Sequence, residues 1–175
     1  MDLALKLFSP LVKVLRRVDG DKPSMGFLYD DLERAKEDIK KNLDSKEKKY
    51  IPIWNIIDKR WDDKLKGPLH RAGHYLNPYT FYKKKLEIEK AGIFMDGLVE
   101  VMHRFYPERH ETLNKITDQL SLYQYQKGSF GRDWVKKGAE NPNLNPGILL
   151  DIFFVNFNQK IIKLNLLMTF SITFN

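Results

Sequence analysis

Apolar residues recur in this chain at intervals of three and four, most clearly between Tyr50 and Pro78. Within that stretch, four large side chains share one face of a helix: Trp54, Ile57, Trp61 and Leu65. Two indole rings on one face are stable in water only when another element covers them. We therefore predict that these four residues belong to the structural core.

The ends of this helix are marked by prolines. Pro52 suits a first turn, where its missing N–H is no loss, and Gly67-Pro68 ends the run and opens the next short segment. The same apolar spacing predicts helices over residues 3–18, 24–43, 88–105 and 113–123, with Ser24 as the N-cap of the second. No sustained strand alternation precedes residue 147. These patterns predict an all-α, irregular helical bundle of about five or six helices.

Composition restricts the classes of protein to which this chain can belong. The chain has 175 residues, of which 42% are hydrophobic, so residues 1–146 can form one domain with its own core. The net charge of +7 is spread evenly along the chain and contains no basic block, which favours a solvated surface over a large DNA footprint. The absence of cysteine excludes disulfides and cysteine-ligated zinc within this chain. No membrane segment or secretory leader is expected, and the predicted location is the nucleus or cytoplasm.

Residues 147–175 differ in kind from the rest. From Ile148 to Asn175 there is no Ala, Gly, Pro or Arg, whereas Ile, Leu, Phe, Asn and Lys dominate. The favoured residues have A/T-rich codons and the missing ones G/C-rich codons. Our hypothesis is that this atypical tail is translated non-coding sequence, such as a retained intron. A spliced transcript that encodes the same tail between well-supported exon boundaries would refute it.

The nearest candidate for a nucleic-acid-binding surface is Tyr82 with Lys83, Lys84 and Lys85. Aromatic rings can stack on bases while ammonium groups contact phosphates. The alternative is an aromatic-anchored loop with solvated lysines, which we favour because no second basic run supports the patch.

Three other groupings could carry chemistry. His70 and His74 have the spacing of two zinc ligands on one helical face, but position 71 is Arg and no third ligand is identifiable nearby, so a structural role is favoured. Asp58 and Asp62 lie one turn apart and could share a cation, but ordinary helix-surface charge is favoured. Glu100 and His103 are also one turn apart, but no nucleophile or oriented third group accompanies them. We predict no catalytic residues, no metal site, no cofactor and no small-molecule substrate.

Three segments in one order resemble the later part of plant hAT-superfamily transposases and their domesticated relatives. They are PLVKVLRRVDGDKPSMGFLYDDLERAKEDIKK (10–41), YIPIWNIIDKRWDDKLKGPLHRAGHYLNP (50–78) and MDGLVEVMHRFYPERHETLNKITDQLSLYQYQKGSFG (95–131), and the likeness covers about residues 3–146. The family joins a BED zinc finger, an RNase H-like core interrupted by a large helical insertion, and a C-terminal dimerisation region. This chain resembles the helical insertion.

The resemblance implies a fragment without its family's chemistry. Relatives transfer DNA strands with two metal ions held by two aspartates and a glutamate. The aspartate motifs lie upstream of everything matched here, and the chain leaves the family pattern just after residue 146, before the motif that holds the glutamate. The resemblance therefore predicts a catalytically inactive domain. In an intact parent protein, this domain would brace the nuclease core and position transposon-end DNA. The alternative is a non-enzymatic module that binds protein or nucleic acid; expected partners are DNA, a second copy or intact hAT-family proteins.

Overall fold

The computed structural model describes residues 2–20, 24–64 and 67–141. Its α-helices are α1 (Asp2–Val18), α2 (Leu28–Asn42), α3 (Glu47–Lys64), α4 (Pro68–Tyr75), α5 (Pro78–Lys83), α6 (Lys85–Ala91), α7 (Ile93–Phe105), α8 (His110–Gln124) and α9 (Asp133–Ala139). Two 3₁₀ turns, Met25–Phe27 and Gly128–Gly131, complete the regular structure. The described residues contain no strand, which confirms the all-α prediction, although their nine α-helices exceed the five or six expected. The predicted tail and Leu65 lie outside the described residues.

The first three helices pack around two small apolar clusters. Trp61 of α3 is buried with Leu28 and Leu32 of α2, and α1 adds Val14 and Val18. The second cluster contains Ile39, Leu43 and Tyr50, with Leu7 and Leu11 of α1 against it. Helix α2 thus lies between the buried faces of α1 and α3.

The remaining helices surround a larger, aromatic core. Tyr75 of α4, Phe81 of α5 and Tyr123 of α8 are almost completely buried, and the Phe81 ring centroid lies 4.8 Å from that of Tyr75 and 5.0 Å from that of Tyr123. Helices α4 and α7 approach closely at Gly97, where a β-carbon would clash with the β-carbon of Arg71. A larger residue at position 97 would push these two helices apart.

Buried polar contacts join the two groups of helices. Asn77, which is 1% exposed, donates from Nδ2 to the Gly26 carbonyl (2.8 Å), and its Oδ1 accepts from the backbone N–H of Tyr79. The hydroxyl of Thr80 donates to Asp30 of α2 (2.8 Å). Since each of these groups would be costly to bury unpaired, the contacts fix how α2 sits against α4 and α5.

Three local expectations were wrong. Ser24 makes no side-chain cap; instead its carbonyl accepts from the Phe27 N–H in the 3₁₀ turn that precedes α2. Pro52 lies in the second turn of α3, because the helix begins five residues earlier, at Glu47. The helix expected over 88–105 is divided at Gly92, whose φ of +69° interrupts it between α6 and α7.

Candidate functional site

The lysine triplet is divided among three different environments. Lys83 is exposed, with its ammonium 3.8 Å from the centre of the Tyr79 ring. Lys84 forms an ion pair with Asp30 (2.6 Å), and Lys85 donates to the Gln124 carbonyl (2.7 Å). Two of the three ammonium groups therefore bind other parts of this chain, and only Lys83 fits the simple picture of a phosphate-binding lysine.

Tyr82, the aromatic residue of the predicted patch, is half-buried. Its hydroxyl donates to the Tyr123 carbonyl (2.9 Å), and its ring lies 5.2 Å from that of Tyr123. Burial raises the pKa of the Tyr82 hydroxyl. The ring is thus part of the aromatic core around Tyr123 rather than an open stacking platform.

The Asp30 carboxylate is the centre of the contacts around Lys84. Burial alone would raise its pKa, but the hydrogen bonds from Lys84 and Thr80 outweigh that effect and lower it. An ionised Asp30 therefore holds together α2, α5 and the start of α6. Its partners lie 50 and 54 residues away in the sequence, so no local pattern could have identified them.

The tryptophan face occupies the position expected from its spacing, with unequal burial. Trp61 is 7% exposed and meets Tyr29 edge to face at 5.0 Å, whereas Trp54 and Ile57 are half-buried against the same two clusters. Trp54 also donates its indole N–H to the Lys36 carbonyl (3.1 Å). The indole N–H of Trp54 therefore provides a hydrogen-bond donor to a carbonyl of α2, while the ring packs against apolar side chains.

His74 is buried and His70 is half-buried. The His74 ring contacts the rings of Tyr29 and Phe94, at centroid distances of 5.2 and 4.5 Å, and burial lowers the pKa of His74 to about 4. Burial also lowers the pKa of His70. No group of three or more His, Asp or Glu side chains is placed to hold a metal ion within residues 2–20, 24–64 and 67–141. His74 accordingly serves as a neutral aromatic packing residue.

Asp58 and Glu100, one from each predicted pair, form ion pairs with neighbouring helices. Asp58 accepts from the ammonium of Lys36 at 2.9 and 3.1 Å, and Lys36 is itself 8% exposed. Glu100 accepts from Arg104 (2.6 Å) and from Arg71 of α4 (3.4 Å). These carboxylates neutralise cations at helix contacts.

The structure reveals a surface on α1 that sequence analysis overlooked. We use the name outer stripe for four apolar side chains that are 59%, 62%, 39% and 58% exposed: Leu5, Phe8, Val12 and Leu15. Their spacing of three, four and three is the signal that could have found them. It was obscured because the other face of α1 is also apolar and packs on α2 and α3.

None of the helices in the described part of the chain is long and apolar enough to cross a membrane. Comparison with family models, with curated proteins and with solved structures gave no match to this chain.

Proposed function

We propose that this chain is a hAT-transposase-derived helical scaffold that carries out no strand transfer by itself. The resemblance over residues 3–146 supports it, together with the all-helical architecture of the described residues. The main observation in favour of this proposal is that the carboxylates of Asp30, Asp31 and Asp58 each pair with side chains from another part of the fold. Acidic residues employed in this way stabilise helix contacts.

In this role the helices brace a nuclease core supplied by an intact relative and help to position DNA. Lys83 is the member of the lysine triplet best suited to contact a phosphate, because it is exposed and is held above Tyr79. Lys84 and Lys85 contribute to the scaffold through their internal contacts.

A nicking assay tests the proposal. The purified full chain, with Mg²⁺ or Mn²⁺, should leave terminal-inverted-repeat duplexes and supercoiled plasmid uncut. Asp58→Asn and Asp62→Asn variants serve as controls for contaminating nuclease. Reproducible nicking by the original chain that either variant abolishes would overturn the proposed inactivity.

A second candidate function is a module that binds a helical protein partner, and the outer stripe of α1 favours it. Four apolar side chains on one exposed face are costly in water unless a partner covers them. Light scattering together with salt-dependent DNA-binding measurements separates the candidates. Salt-sensitive DNA binding that requires Lys83 favours the scaffold that positions DNA.

A further inference from the structure

The spacing of the outer stripe of α1 suits a helical partner. Leu5, Phe8, Val12 and Leu15 alternate intervals of three and four, as the a and d positions of a coiled-coil seam do. At about 100° per residue, the stripe is only about 80° wide, because the rest of the apolar arc of α1 faces α2 and α3. A helix that lies on a membrane surface requires a broader apolar face. A second helix fits this narrow seam better than acyl chains do.

The charges of α1 indicate which kind of helix. Helix α1 contains four basic residues, Lys6, Lys13, Arg16 and Arg17, against one acidic residue, Asp2. Arg16 lies about 20° around the helix from Leu5 and borders the stripe, whereas Lys13 lies about 80° from Leu5, farther out on the same side. Both side chains are exposed.

Other occupants are disfavoured by the same charges. A second copy would bring one predominantly basic helix against another, and like charges that flank a seam oppose pairing. Residues 142–175 of this chain contain one acidic residue, Asp151, against two lysines, so that segment also lacks complementary charge.

We infer that the outer stripe of α1 binds an amphipathic helix of another protein, with apolar a and d residues and acidic flanking residues. Its leucine-like side chains would interdigitate with Leu5, Phe8, Val12 and Leu15, and its carboxylates would face Arg16, with Lys13 farther out on the same side. The identity of this partner rests on the second candidate function, whereas the catalytic inactivity of the chain does not depend on it.

The test uses the full chain and labelled peptides of about three heptads. One peptide carries Leu at a and d and Glu at the flanking positions; a matched peptide replaces each Glu with Lys; a third scrambles the acidic sequence. We expect saturable binding of the acidic amphipathic peptide in fluorescence anisotropy, about tenfold or more tighter than that of the other two, and weaker at high salt.

Variants of the chain locate the site. Phe8→Ser and Leu15→Ser should each weaken binding about tenfold or more, whereas Leu86→Ser should not, because Leu86 is a similarly exposed leucine on α6. Lys13→Glu with Arg16→Glu should reverse the preference toward the lysine peptide. Circular dichroism should show unchanged helicity in all of these surface variants.

Four outcomes would overturn this inference, and they distinguish its failure from the failure of the helix-binding module on which it rests. Equal binding of the acidic and lysine peptides, lost in Phe8→Ser, would retain a helix-binding module but reject an acidic partner. A dimer in light scattering that Phe8→Ser dissociates would identify a second copy. Binding of phosphatidylserine vesicles without peptide binding, or binding of nothing at all, would reject the helix-binding module as well.

Discussion

At the scale of single residues, the charged groups inside this protein are paired across helices. Lys36 is 8% exposed, yet its ammonium contacts Asp58 at 2.9 Å and lies 5.0 Å from the centre of the Trp54 ring. Burial alone would lower the pKa of Lys36, but the hydrogen bond and ion pairs with Asp58 and Glu33 raise it. An ammonium in this position is stable because it has partners, so its ion pair with Asp58 adds a polar link to the apolar contact between α2 and α3.

The three tryptophans differ in burial, and their removal should differ in cost. Trp61→Ala should lower the free energy of unfolding by about 3–5 kcal/mol, because the ring is 7% exposed and its removal leaves a cavity. Trp54→Ala should cost less, since this ring is half-buried. Trp134→Ala is the matched control: the ring is 56% exposed, and we expect a change below about 1 kcal/mol. Urea unfolding measures all three, and equal costs for Trp61 and Trp134 would contradict the core position of Trp61.

His74 should make stability depend on pH. Its pKa is about 4 in the folded protein, below the value of about 6.5 expected for the unfolded chain, so the unfolded chain takes up the proton first as the pH falls. The stability that neutral His74 contributes is fully present above about pH 6.5 and is lost as the pH falls from 6.5 to 4. The free energy of unfolding should therefore decrease toward acid pH, by about 2 kcal/mol between pH 7 and pH 5.

The measurement compares urea unfolding at the two pH values in the original chain and in His74→Phe. The phenyl ring can pack against Tyr29 and Phe94 but cannot titrate, so this variant should lose the part of the acid sensitivity that His74 contributes, while the part from His70 remains. His110→Gln, an exposed change at the start of α8, should keep it. An unchanged pH dependence in His74→Phe would show that other groups are responsible.

At the scale of elements, apolar spacing predicted where helices form but not where they are interrupted. The face of α3 that carries Trp54, Ile57 and Trp61 follows directly from the 3.6-residue period. The division at Gly92 does not, because the apolar spacing on either side continues in register and gives no sign of a positive φ. The partners of Lys84 and Lys85 could not be predicted from the sequence either, because they depend on how distant helices pack.

Gly92 should resist substitution. Its φ of +69° is disfavoured for any residue with a β-carbon, so Gly92→Ala should lower the free energy of unfolding by about 1–2 kcal/mol. No atom lies within 4 Å of the added β-carbon, so the cost would come from the backbone alone. Gly20→Ala is the control, since its φ is not positive, and should stay within about 0.5 kcal/mol. If Gly92→Ala is as stable as Gly20→Ala in urea, α6 and α7 are not separated by this conformation.

At the scale of the whole molecule, two groups of helices are joined by a few polar contacts, some of them buried. Asn77 reaches the backbone of Gly26, and Asp30 binds both Thr80 and Lys84. The aromatic contact between Tyr29 and His74 crosses the same junction. The all-α class could be read from the sequence, but this junction could not, because its contacts join residues about fifty positions apart.

The central claim is that these contacts unite the described helices into a single scaffold, and equilibrium unfolding tests it most directly. Trp134→Phe leaves tryptophan reporters only in α3, whereas Trp54→Phe with Trp61→Phe leaves one only in α9. In each variant, tryptophan fluorescence and circular dichroism should give the same urea midpoint and slope. A scaffold that unfolds as one unit predicts this agreement. A fluorescence midpoint that differs from the circular dichroism midpoint in either variant would show that α3 or α9 unfolds separately from the other helices, and would contradict it.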